Sequence, residues 1–182
     1  MSALAFWKTV VQDESNFLER VTSLLRDGGF RYCVIGGVGV NAYSEAVLTE
    51  DLDIILAADQ LPAARSLIER EFKVSESAYT LNVYDPGSRL QVQIQKDPAL
   101  TAMIARAETH TVLDLELPVA APADLIRLKI AAAMEPSRRP SKRGKDILDI
   151  GRLVARFRHL RQAVPPELAE RVDAVTDPED TE

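Results

Sequence analysis

The sequence predicts an α/β (α+β) fold: a mixed β-sheet flanked by helices, with a C-terminal helical appendage. Three observations carry that expectation. Strand-like apolar runs alternate with helical periodicity as far as residue 121. Two of those runs are joined by Asp85-Pro86-Gly87, a turn sequence that makes them an antiparallel pair, so parallel and antiparallel connections are mixed. From Pro122 onward only helical patterns remain.

The elements follow in order. Asp13 or Ser15 caps a helix in which Phe17, Leu18, Val21, Leu24 and Leu25 recur at helical spacing, and Asp27-Gly28-Gly29 ends it. Phe30–Ile35 reads as a buried strand, closed by Gly36-Gly37, and Val38–Ala46 as the helix after it. Leu48–Ala57 is a second strand. Leu61-Pro62 opens a helix with Ala64, Leu67, Ile68 and Phe72 on its apolar face; proline suits a first turn, where its missing N–H costs nothing. Ala78–Tyr84 and Ser88–Lys96 form the hairpin, Pro98–Arg106 a short helix, and Thr111–Leu117 one more strand. Pro122–Met134 and Lys145–Phe157 are strong helices separated by a loop over Glu135–Gly144, and Pro165-Pro166 starts a last helix. This divides the chain into a core over 1–121, a helical part over 122–175 packed on it, and an acidic tail over 176–182.

Composition narrows the functional classes. The 182 residues suit one domain with an appendage, and 46% hydrophobic with 27% charged residues is ordinary for a globular protein. No apolar run approaches the ~20 residues of a membrane helix. A single cysteine, Cys33, and the absence of a signal-peptide pattern point to the cytoplasm. The net charge of −6 argues against nonspecific duplex binding. Within it, residues 137–161 hold nine bases and two acids. That stretch is either a solvated face or a surface for phosphate groups. Arg138 and Arg139 fall in a loop bracketed by Pro136 and Pro140, where little is expected of Arg138.

The segment from Val34 to Leu56 carries the chemistry. A strand ends in Gly36 and Gly37 and a helix starts at once, so backbone N–H groups are exposed where a phosphate could bind. Fourteen residues after Gly37 come Asp51 and Asp53. Residues two apart on a strand share a face, which sets the two carboxylates side by side while Leu52 and Ile54 face the core. Adjacent carboxylates repel unless a cation joins them. Mg²⁺ suits them, because it takes oxygen ligands and leaves positions for substrate phosphates.

Together these residues resemble the nucleotidyltransferase superfamily related to DNA polymerase β. The closer likeness is to a small bacterial branch that includes AbiEii-type toxins and antibiotic nucleotidyltransferases. Tyr43 after the glycines and Thr49 before the aspartates match it. So do Leu117-Pro118-Val119, Pro122, Asp124-Leu125, Leu128-Lys129 and the Lys145-Asp146-x-x-Asp149 helix, over roughly residues 30–157. The resemblance implies the mixed sheet of the nucleotidyltransferase fold. It also implies Mg²⁺-dependent transfer of a nucleoside monophosphate from an NTP, such as ATP, to a hydroxyl. The acceptor could be a small molecule, a tRNA or a protein. Asp51 and Asp53 would hold the metal, and Gly36, Gly37, Thr49 and Lys145 would bind the nucleotide.

The sequence departs from the pattern twice. Val47 stands where an arginine is common. The third carboxylate falls on Gln93, within a strand whose polar face is Gln91, Gln93 and Gln95. An amide can offer oxygen to a metal but cannot act as a general base. Asp97 is the alternative acid if the strand shifts. The rival function is a nucleotidyltransferase-fold binding module working through a protein partner, in a toxin–antitoxin or phage-defence setting. Lys145 and Asp149, and Asp149 and Arg152, are also spaced to pair along an exposed helix, each worth ~0.3 kcal/mol. Lys129 reads as a lysine snorkelling from an apolar face, and Trp7 and Cys33 as packing residues.

Overall fold

A computed structural model describes residues 2–176. The acidic tail read from the sequence lies outside them, apart from Thr176. The elements are α1 (Ala3–Val10), α2 (Phe17–Asp27), β1 (Tyr32–Ile35), α3 (Gly36–Asn41), β2 (Asp51–Leu56), α4 (Leu61–Glu71), β3 (Lys73–Glu76), β4 (Thr80–Tyr84), β5 (Gln91–Gln95), β6 (Glu108–Val112), β7 (Leu115–Val119), α5 (Pro122–Met134), α6 (Pro140–Arg156) and α7 (Pro166–Asp173). Short 3₁₀ segments cover Ala58–Gln60, Pro98–Arg106 and Arg158–Ala163.

The seven strands form one mixed sheet in the order β3-β4-β5-β2-β1-β7-β6. β2 runs antiparallel to β1 and parallel to β5. Its alternation does what the sequence predicts: Leu52 and Ile54 are fully buried while Asp51 and Asp53 are partly open. The register pairs Asp53 with Ile35 on one side and with Gln93 on the other. The predicted Asp85–Gly87 turn is formed: Gly87 N donates to Asp85 Oδ1 at 2.9 Å, and β4 and β5 are antiparallel. The core runs continuously from Trp7 to Val172. α3 packs close on α5, with Leu125 Cδ2 only 3.1 Å from where a side chain on Gly39 would begin.

Several elements differ from the sequence reading. α1 was not expected, although Ser2 caps it by accepting from Ala5 N and it buries Trp7. The predicted strand Thr111–Leu117 is a hairpin. Leu113 and Asp114 both take positive φ, at 51° and 59°, and form a tight turn without glycine. β3 is a short edge strand with mostly exposed, charged residues, so no apolar alternation marks it. The helix after the glycines stops at Asn41 rather than Ala46. α6 starts at Pro140, five residues inside the predicted loop, with proline in its first turn.

Two glycines test these assignments from opposite sides. Gly36 has φ +67°, and a Cβ there would lie 2.1 Å from Asp53 Oδ2. Gly36→Ala should therefore lose at least about 2 kcal/mol, or ~4–8 °C in melting temperature. Gly144 lies inside α6 with nothing within 4 Å of a Cβ. Gly144→Ala should gain about 0.5–1 kcal/mol in chemical denaturation. A loss there would return residues 140–144 to a loop.

Candidate active site

Asp51 and Asp53 form the floor of a cleft of about 420 Å³. One wall is the loop from Val47 to Glu50; the other is the face of α6 carrying Lys142, Lys145, Leu148 and Arg152. Gly37 and Thr49 also line it. Gly36 stands behind Asp53 rather than in the lining, and its lack of a side chain is what lets that carboxylate fit. Gln93 lies beside Asp53 across the strand pair. The predicted site residues therefore converge, with Gly36 and Gln93 bordering Asp53.

The loop preceding β2 is held from several directions. Trp7 Nε1 donates to Thr49 O at 2.8 Å, so Trp7 does more than pack. Asn41 brackets Val47 by donating to its carbonyl at 2.8 Å and accepting from its N–H at 3.0 Å. Arg152 reaches the same loop from α6, donating to Asn41 Oδ1 at 2.8 Å and to the Glu45 carbonyl. No cation occupies position 47, and Arg152 supplies one from the opposite wall. Tyr43 serves structure instead: its Oη donates to Ala120 O, and burial, followed by the nearby Glu108 charge, pushes its phenol up to about 12.

The electrostatics contain three corrections. Lys129 does not snorkel to solvent. Its Nζ lies 2.6 Å from Asp149 and 3.2 Å from Asp146, both buried. Burial opposes its charge, but Asp149 and Asp146 outweigh that and hold its pKa above the ordinary lysine value. Arg138 is not a bystander, because it bonds Asp146 at 2.8–2.9 Å. Asp149 pairs with Lys129 and Arg152, at 2.6 and 2.8 Å, rather than with Lys145. Lys145 is exposed, lines the cleft and has no side-chain partner among the described residues. Lys142, which sequence reading missed, sits 3.3 Å from Asp51 Oδ2. Lys142, Lys145, Asp149 and Arg152 recur at helical spacing, a signal hidden by reading residues 135–144 as a loop.

Asp53 is the group most out of the ordinary. Burial, reinforced by Asp51 and opposed by Lys129 and Lys142, pushes its carboxyl up to about 6. Asp97 is not a substitute third acid. It caps the 3₁₀ segment at the far end of β5, accepting from Ala99 N at 2.9 Å, four residues and roughly 13 Å beyond Gln93 along the strand.

No family model matches the chain, and no curated protein matches it in sequence. Solved structures do match its course. The antibiotic-resistance factor ANT(2'')-Ia, in complex with adenylyl-2''-tobramycin, superposes with a TM-score of 0.57 over 88% of this chain and 95% of its own, at 11% identity. The chain has the nucleotidyltransferase fold. The lincosamide antibiotic adenylyltransferase LnuA, bound to lincomycin, matches with a TM-score of 0.52 over 78% of this chain and 97% of its own, at 13% identity. An antigenic nucleotidyltransferase-like protein from Paracoccidioides brasiliensis matches with 0.52 over 92% and 85%, at 17% identity.

The donor set in this nucleotidyltransferase-fold cleft fits Mg²⁺ in part. Asp51 and Asp53 offer hard carboxylate oxygens side by side, and the Asp53 carboxyl, raised by burial and then by Asp51, marks a place where a cation would offset both. Among the described residues no three His, Cys, Asp or Glu side chains converge as a metal cluster. One or two carboxylates completed by water and substrate phosphates is an ordinary Mg²⁺ environment.

Two outcomes follow. The raised pKa means that metal-free Asp53 opposes folding once ionised. Its contribution to stability is greatest below the unfolded value near pH 4 and is lost as pH rises through about 6. In chelator, Asp53→Asn should exceed the parent by about 2 kcal/mol at neutral pH and match it at about pH 4. Lys129→Met should cost about 1–3 kcal/mol in urea unfolding, because Asp146 and Asp149 stay buried with only Arg138 and Arg152 as partners.

Proposed function

We propose that the protein is a Mg²⁺-dependent nucleotidyltransferase that moves a nucleoside monophosphate from an NTP to a hydroxyl acceptor and releases pyrophosphate. The observation that supports it best is the opposition of Asp51 and Asp53 on β2 to Lys142 and Lys145 on α6 across one cleft. An NTP brings phosphates that the lysines attract and a divalent ion that the aspartates attract. The bound ion would neutralise charge developing on the phosphates. Lys145, exposed and unpaired, would take a terminal phosphate, and Lys142 would exchange Asp51 for another. Gly37 would let the phosphates approach the backbone, Gly36 would leave room for the Asp53 carboxylate, and Thr49 would hold the edge of the loop. Catalysis would then be positioning and charge neutralisation without a covalent enzyme intermediate.

Gln93 favours a second reading. It stands in register with Asp53, where an acid would assist the acceptor hydroxyl, and a neutral amide cannot take the proton. On that reading the protein binds nucleotide and acts through a protein partner, as a toxin–antitoxin or phage-defence component would.

Isothermal titration with ATP and Mg²⁺ separates the parts. Asp51→Asn and Asp53→Asn should each abolish Mg²⁺-dependent binding while the fold is kept. Lys145→Ala should weaken it about tenfold. Transfer of label from α-labelled ATP should rise in Gln93→Glu, since general-base assistance is worth ~10²–10⁴-fold. Fast transfer by the native chain that falls in Gln93→Glu would show that the amide is the working group. Unchanged Mg²⁺-dependent binding in both aspartate variants would remove the metal site.

A further inference from the structure

On the transferase reading above, one side of the Asp pair is accounted for by the phosphates, and the other side carries unspent chemistry. β2 lies between β1 and β5 in the sheet. The α6 wall packs with α3 and α5 on the β1 side. On the β5 side the sheet continues from Asp53 to Gln93, then to Asn82 on β4 and Ser75 on β3, a single row in register. We propose that this open face of β5 and β4 is the acceptor site, and that it takes a neutral polyhydroxylated molecule such as an oligosaccharide.

The alternation defines the face. Val92 and Ile94 on β5, and Leu81 and Val83 on β4, are at most 1% exposed on the core side. Gln91, Gln93 and Gln95, with Asn82, stand at partly or fully exposed positions on the other side. None of the three glutamine amides has a hydrogen-bond partner among the described residues. Asn82 uses its Oδ1 to accept from Thr80 Oγ1 at 3.2 Å and keeps its NH₂ unspent. Among the described strand residues in register with this face, the charged ones are Asp51 and Asp53 on β2 and Lys73 on β3, at its margins.

The chemistry of that row selects its ligand. Each carboxamide presents two donors and one acceptor oxygen. A phosphodiester offers acceptors alone and calls for cations; a polyamine offers charged donors and calls for carboxylates. Hydroxyl groups donate and accept, so a run of them can satisfy a run of amides without leaving either partner unpaired. The face extends about 13 Å along β5 and about 10 Å from β5 to β3, room for more than one sugar ring. A hydroxyl held over Gln93 adjoins Asp53. There its oxygen would form the new bond to the α-phosphorus as the bond to the pyrophosphate oxygen breaks. Pyrophosphate leaves with that electron pair, and the hydroxyl proton passes to water.

The test uses the full chain labelled with ¹⁵N. Maltotriose, cellotriose and raffinose, each added at millimolar concentrations, should shift the side-chain NH₂ signals of Gln91, Gln95 and Asn82 saturably for at least one of the three sugars. The Gln91→Ala/Gln95→Ala double variant should weaken that binding at least about tenfold while keeping Mg·ATP affinity within about twofold. Asn82→Asp, which conserves shape and removes the free donor, should weaken sugar binding in the same direction. Absence of shifts with all three sugars would overturn the proposal. So would stronger shifts from a serine-containing tetrapeptide or from spermidine. The Mg·ATP titration is independent: loss of nucleotide binding with sugar shifts intact sinks the transferase reading and leaves the face a sugar site without an acceptor role, and the converse sinks only the acceptor site.

Discussion

The cleft depends on one ammonium group. Lys129, on α5, sits between Asp146 and Asp149, which lie almost one turn apart on α6. Each aspartate has a second cation. Arg138 holds Asp146 from the segment leading into α6, and Arg152 holds Asp149 and extends to Asn41 and Glu45. The result is a chain of alternating charges that ties α6 to α5 and to the loop after α3. Such pairs add little net stability over apolar packing, but removing Lys129 leaves two buried carboxylates with a single arginine each. Their effect is therefore to fix geometry. With α6 held in this rotation, Lys142 and Lys145 face Asp51 and Asp53; a helical slip of one residue would turn them by about 100° away from the cleft.

A second constraint lies at the end of β1. The chain must leave the sheet beside Asp53, and only a residue without a side chain can do so at φ +67° while touching that carboxylate. Thus one glycine serves the turn and the acid together. The cost appears in Asp53 itself, whose carboxyl is pushed up to about 6 mainly by its burial. A group held this way is poorly solvated in the free protein, and a bound cation would offset that cost.

Much of this was legible in the sequence because it rests on period and spacing. The Asp-x-Asp parity, the glycine turn, the Asp85-Pro86-Gly87 hairpin and the register of Gln93 are all short-range patterns, and β2 and β5 keep them. What was illegible depends on distance along the chain. Lys129 and Asp146 are 17 residues apart, and Lys142 and Asp51 91 apart, so no local pattern pairs them. The β6–β7 turn escaped notice for a different reason: Leu113 and Asp114 adopt positive φ without the usual glycine, and Asp114 Oδ2 accepts from Leu4 N at 3.0 Å. The start of α6 was hidden by Pro136, Pro140 and Gly144, which read as loop punctuation although Pro140 occupies a position where proline is tolerated.

Gln93 can be placed within the same electrostatics. Asp53 already carries the combined penalty of burial and of Asp51 at its side, offset by Lys129 and Lys142. A third carboxylate across the strand pair would add repulsion at Cβ separations of roughly 5 Å, with no further lysine directed at it. An amide removes that repulsion and leaves the floor of the cleft with two negative charges, one of them paired to Lys142. The free fold gains by this, and a cation held there would have one ligand charge fewer. An amide at this position favours stability of the free protein, while the glutamines on either side extend the same neutral chemistry along β5. Position 93 is therefore where the polar face of the sheet and the charged cleft meet, and its side chain sets the balance between them.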